Sequence, residues 1–111
     1  MIAAPEYRGP EHRERPEMVK VIVQHHVADY DRWLPVYTEH EAVRRKHGGT
    51  GHSITREVAD PNSLVIVNEF SSLDGARGFA TDPSLPDAMH RGGVDSEPKV
   101  WIVNEAEVRA Y

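Results

Sequence analysis

Cysteine is absent from the 111-residue chain, which excludes disulfide frameworks and thiolate metal centres and leaves any metal to nitrogen and oxygen ligands. Long apolar runs are absent too. A membrane span needs about 20 such residues and a signal peptide an apolar centre of about 7 to 15, so a cytoplasmic protein without a membrane partner is expected. No basic block occurs: 13 Lys and Arg stand against 18 Asp and Glu, a formal net charge of -5, which argues against nucleic acid as the main partner. The run Gly48-Gly49-Thr50-Gly51 lacks the Lys-Ser/Thr pair of a phosphate loop and precedes a strand pattern rather than a helix. There is no G-x-S-x-G elbow and no flavin or nicotinamide fingerprint, so no organic cofactor is expected.

What is present fits one small domain. A chain of this length buries roughly 65% of its unfolded surface, a thin margin that association with a second copy would improve. Residues 1–17 hold Pro5, Pro10 and Pro16 among charged side chains with little to bury, and read as a disordered or surface-draped arm. The single domain is expected over residues 18–111. Val19, Val21, Val23 and Val27 fall on one parity of a first strand, with His25 on the same parity and His26 on the other. Trp33, Val36, Tyr37, His40, Val43 and His47 then recur at helical spacing from about Asp31 to Gly48, with Pro35 assigned to the tolerant first turn.

A second strand places His52, Ile54, Arg56 and Val58 on one face, and Asp60-Pro61-Asn62 turns the chain into a third strand, Leu64 to Phe70, that is apolar on both parities until Asn68 and Glu69. Ser71 or Ser72 starts a helix through Leu73, Ala76 and Phe79. Ser84 and Asp87 are candidate caps for a further turn, and a last strand follows from about Lys99 to Asn104. The order strand, helix, strand, strand, helix, strand with right-handed crossovers predicts an α+β, ferredoxin-like, four-stranded antiparallel sheet with its helices on one face. Strands apolar on both faces need a second cover, and the same face of another subunit supplies it as a homodimer.

The stretch His25-His26-Val27-Ala28-Asp29-Tyr30-Asp31-Arg32-Trp33, with Tyr37-Thr38-Glu39-His40 and Asn68-Glu69-Phe70-Ser71-Ser72, resembles the dimeric α/β barrel superfamily, over residues 18–105. That superfamily includes antibiotic-biosynthesis monooxygenases and aromatic polyketide cyclases. The pattern Tyr37-x-Glu39-His40 is similar to an aromatic-x-Glu-His motif of tetracenomycin-type cyclases, which implies an acid/base role for His40. The resemblance departs elsewhere: monooxygenase-like members usually carry Trp where Phe70 stands and His where Phe79 stands. The tyrosine and histidine of plant olivetolic acid cyclase fall at Phe79 and near Leu85.

Read residue by residue, Trp33, Tyr37 and His40 project from one helical stripe toward the sheet, where a neutral imidazole could move a proton alpha to a carbonyl. His40 is the expected acid/base group, with His25 and Tyr37 orienting it or the substrate. Trp33 is packing and a possible wall for a planar ligand. His52 and Arg56 share a strand face, where they could stabilise a developing oxyanion; alternatively Arg56 pairs with Glu57, Glu69 or a partner-chain carboxylate. His25, His40 and His52 come from separate elements without H-x-x-x-H spacing, so no metal is expected. The expected function is a cofactor-free cyclase or isomerase acting on a small carbonyl-rich substrate of polyketide type. The alternatives are a cofactor-independent monooxygenase on an electron-rich aromatic, and a small-ligand binding protein without catalysis.

Overall fold

Alternation in the first strand sets the architecture of the whole chain. The computed structural model describes residues 18–111; the arm expected at residues 1–17 lies outside that span. The elements run β1 (Val19–His26), α1 (Tyr30–Glu39), α2 (Glu41–Lys46), β2 (Gly49–Arg56), β3 (Ser63–Phe70), α3 (Leu73–Ala80), α4 (Ser84–Arg91) and β4 (Lys99–Asn104). The sheet order is β2-β3-β1-β4 and every pairing is antiparallel, the predicted α+β ferredoxin-like arrangement.

Register assigns the two faces. Val21 pairs with Asn68 and Ile102, Val23 with Ile66 and Val100, and His25 with Leu64, so these side chains share the helix-covered face. There Val19, Val21, Val23, Leu64, Ile66 and Phe70 pack with Trp33, Ala76 and Phe79 into the core. Each large apolar side chain buried in this way stabilises the fold by about 1.5–3 kcal/mol. On the opposite face Trp101 aligns with Ile22 and Ile22 with Val67, flanked by Val65 and Val103. Trp101 is 49% exposed, Val65 38% and Val103 36%, so the second apolar face inferred from the sequence is present and open to solvent in the single chain.

The helices depart from expectation in three places. Asp29 caps α1 by accepting from the Asp31 amide at 2.9 Å, which starts the helix at Tyr30 and puts Pro35 beyond the first turn. The carbonyl of Asp31 then lacks its i+4 amide; both residues are exposed, and water can take the bond. The single helix predicted up to Gly48 is two, meeting at His40 (φ -77°, ψ 0°), whose amide is shared between the carbonyls of Val36 at 3.1 Å and Tyr37 at 3.2 Å. Ser84 and Asp87 do not cap α4. Asp82 accepts from the Ser84 amide at 2.9 Å, and Asp87 pairs instead with Arg91. β2 ends at Arg56, leaving Val58 outside it and fully exposed.

The α2–β2 turn passes close beneath α3. Gly48 takes a φ of +86°, and a Cβ on Gly75 would stand 2.1 Å from the carbonyl oxygen of His47. Gly75→Ala is therefore expected to cost about 1–3 kcal/mol, seen as a lower urea midpoint at unchanged slope. A midpoint equal to wild type would mean that this backbone approach does not constrain the fold.

Candidate active site

Two cavities adjoin beneath the helices. The inner one encloses about 40 Å³ between β1, β3 and the helices, against His25, Trp33, Tyr37, His40 and Phe79. The outer one is a cleft of about 230 Å³ beside β2, reached by His52, Glu41 and Glu69. Arg44 and Asn68 line both and stand between them.

His40 occupies the junction of α1 and α2, and is buried. Its Nε2 lies 2.8 Å from Ser84 Oγ, and Ser84 Oγ lies 2.7 Å from Asp82 Oδ1. Asp82 also meets His47 Nε2 at 2.8 Å, and these bonds hold its carboxyl well below the usual carboxylate range, so it only accepts. The single hydroxyl proton of Ser84 goes to Asp82, so Ser84 must accept from His40. His40 is thereby fixed with its proton on Nε2 and its lone pair on Nδ1. Burial, aided by the positive charge of Arg44, lowers its pKa from the ordinary histidine value and keeps the ring neutral.

His25 is also buried, edge-on to Trp33 with ring centroids 6.0 Å apart, and its Nδ1 has no partner among the described residues. Burial lowers its pKa as well. Alternation alone did not decide which of the paired histidines faces the cavity; the register gives it to His25. His26 points to the other face, 2.6 Å from Asp95 and 3.4 Å from Asp60, and its hydrogen bond to Asp95 raises its pKa.

Tyr37 is stacked between Trp33, with centroids 4.9 Å apart, and the guanidinium of Arg44, 3.8 Å from its ring centre. Burial pushes its hydroxyl up to about 12, so it remains a donor, and it donates to Asn68 Oδ1. Tyr37 thus holds Asn68, rather than offering its own proton to a substrate. Arg44 is only 4% exposed, and neither Nη atom has an acceptor among the described residues. Stacking a desolvated cation on an aromatic ring contributes about 2 kcal/mol, whereas burying an ion costs several, so the stack alone does not offset the burial.

The remaining expected groups are dispersed. His52 packs edge-on to Tyr37 at 5.1 Å and belongs to the outer cleft. Arg56 is exposed: it donates to the Pro61 carbonyl at 2.7 Å and lies 3.9 Å over Tyr30, so it does not join His52 in an oxyanion site. The hairpin turn captures it. Among the described residues no group of three or more His, Asp or Glu could hold a metal ion, and no helix is long and apolar enough to cross a membrane.

Sequence reasoning passed over Arg44 and Asn68, although each carries a signal. Arg44 follows Trp33, Tyr37 and His40 at the same helical spacing, and Asn68 sits on the buried parity of β3 between Ile66 and Phe70. A polar residue on a buried stripe was the clue.

Solved structures share this fold. A candidate antibiotic biosynthesis monooxygenase from Bordetella bronchiseptica matches with a TM-score of 0.68 and 14% identity, over 84% of this chain and 99% of its own. Another from Caulobacter crescentus matches with a TM-score of 0.64 and 14% identity, over 87% of this chain and 97% of its own. SnoaB, a cofactor-independent oxygenase from Streptomyces nogalater, matches with a TM-score of 0.60 and 17% identity, over 83% and 97%. The fold is that of the antibiotic biosynthesis monooxygenases. No protein-family model matches the sequence, and neither does any curated protein. Phe70 and Phe79 pack with ring centroids 5.3 Å apart, and Phe79 walls the inner cavity 6.1 Å from His40.

Proposed function

We propose that this chain is a cofactor-independent monooxygenase that oxidises an electron-rich organic molecule with an acidic C–H, using His40 as general base. The observation that carries the reading is the inner cavity, whose about 40 Å³ joins neutral histidines to apolar walls from Val23, Ile66, Leu85 and Met89. That space suits a diatomic gas such as dioxygen and is several times smaller than the outer cleft of about 230 Å³, which comes close to the roughly 300 Å³ typical of the smaller organic-ligand pockets. The substrate then occupies the outer cleft, with its reacting carbon at the Arg44–Asn68 partition. SnoaB, a cofactor-independent oxygenase on the same fold, supports the same chemistry.

The step balances without a cofactor. His40 takes a proton from a CH₂ group, the carbanion adds to dioxygen, and the returned proton gives a hydroperoxide that loses water and leaves a carbonyl. One oxygen atom enters the product and the other leaves as water. Cyclisation or isomerisation, the first expectation from the sequence, would use the same base without consuming oxygen. It would also require an enclosure for the whole folded substrate. Convergence of His25, His40, Arg44 and Asn68 favours an enzyme over a passive binding protein, whose pocket would lack such groups.

The apolar outer face around Trp101 supports a second proposal, that two copies pack sheet to sheet as a homodimer. Function is tested with an oxygen electrode, presenting polycyclic phenols with an activated methylene and 1,3-diketones in buffer containing chelator and no flavin. One dioxygen consumed per substrate lost is expected. Product formed without oxygen uptake would replace the monooxygenase reading with the cyclase or isomerase one.

A further inference from the structure

We infer that Arg44 anchors a carboxylate of the substrate, held in the outer cleft with the rest of the molecule lying along β2. This names the substrate class for the site proposed above and rests on that reading of the two cavities. Arg44 lines both cavities, and both of its Nη atoms are buried without an acceptor among the described residues, so a carboxylate entering from the outer cleft reaches them by displacing the side chains that cover them. Two adjacent empty donors on a planar fork match the two oxygens of a carboxylate, where a single phenolate oxygen would leave one donor unpaired.

The neighbouring acids do not supply that acceptor. Glu41 is bound to Arg45 at 2.6 Å and acts on Arg44 through its charge without a hydrogen bond, and Glu69 lies 3.8 Å from Lys20. The Tyr37 hydroxyl is committed to Asn68, and the nearby His40 and His52 rings are held toward neutrality by burial. A buried guanidinium with compensated surroundings therefore keeps its charge for something that arrives. Its stack on Tyr37 fixes the plane of the fork, and the cleft of about 230 Å³ accommodates a small ring system beside it.

The probe is 2-naphthoate, compared with the neutral isostere 2-naphthamide, by titration calorimetry on the full chain. The acid should bind wild type at least about tenfold more tightly than the amide, because only the acid pairs with the buried cation. Arg44→Met should lose that preference while melting at the same temperature as wild type or higher, since the unpaired charge is removed from the interior. Arg56→Gln, on the exposed hairpin, should leave it unchanged. Equal affinity of wild type for acid and amide overturns the proposal, as does a folded Arg44→Met protein that still prefers the acid. Should Arg44→Met fail to fold, Arg45→Gln decides, because Arg45 also lines the outer cleft and a loss of the acid preference in that variant overturns the proposal. Selective binding of naphthoate without oxygen uptake on any substrate would support the carboxylate anchor and overturn only the monooxygenase chemistry.

Discussion

Trp101→Glu is expected to convert a dimer into a monomer at micromolar concentration, read by sedimentation velocity. Trp101, Ile22 and Val67 form one row across three neighbouring strands, on the face that the helices leave uncovered. In a sheet-to-sheet dimer that row is central, and a carboxylate there would lose a large apolar contact and bury an unpaired charge. Central aromatic residues of this kind are worth about 2–4 kcal/mol or more to association, a weakening of at least thirtyfold. Because Trp101 is half exposed in the single chain, the monomer should keep its circular dichroism spectrum. A wild-type protein that sediments as a monomer would sink the dimer, and a variant that still sediments as a dimer would sink the sheet-to-sheet interface.

His40→Ala is expected to reduce oxygen uptake by about 10²–10⁴-fold, the usual contribution of a positioned general base. Its pH dependence carries a sign. The base works only when unprotonated, and burial beside Arg44 has lowered its pKa. Wild-type kcat/KM should therefore hold its plateau to a lower pH than an ordinary histidine would allow, and fall on the acid side as the ring takes up its proton. Ser84→Ala leaves the imidazole in place and removes the acceptor that fixes its tautomer. Nitrogen chemical shifts of His40 should then move from the pure Nε2–H pattern toward a mixture, with a smaller loss of rate than in His40→Ala. Unchanged shifts would show that Ser84 does not select the tautomer.

Much of the fold was legible because parity and helical spacing are geometric properties of the chain. Val19, Val21 and Val23 declared one face of β1, and the double parity of β3 and β4 declared that a second face exists. The kink at His40 was not legible, since Trp33, Tyr37, His40 and Arg44 keep one stripe through it. The candidate site was harder to read because polar groups there obey partners rather than spacing. Arg56 had the right face and the wrong neighbour: the Pro61 carbonyl and the Tyr30 ring hold it, and both depend on how the hairpin closes. Arg44 had the right spacing and was passed over, because a cation on a helix carries no sign of its burial in the sequence alone.

The paired histidines of β1 have a consequence for charge. His25 and His26 are consecutive, yet burial pulls the first pKa down while Asp95 pulls the second up. Between those two values the strand carries a proton on its outer side and none on its inner side. A single extended backbone thus acts as a partition one residue thick, separating an outer histidine that two carboxylates hold protonated from a buried inner one that sheds its proton.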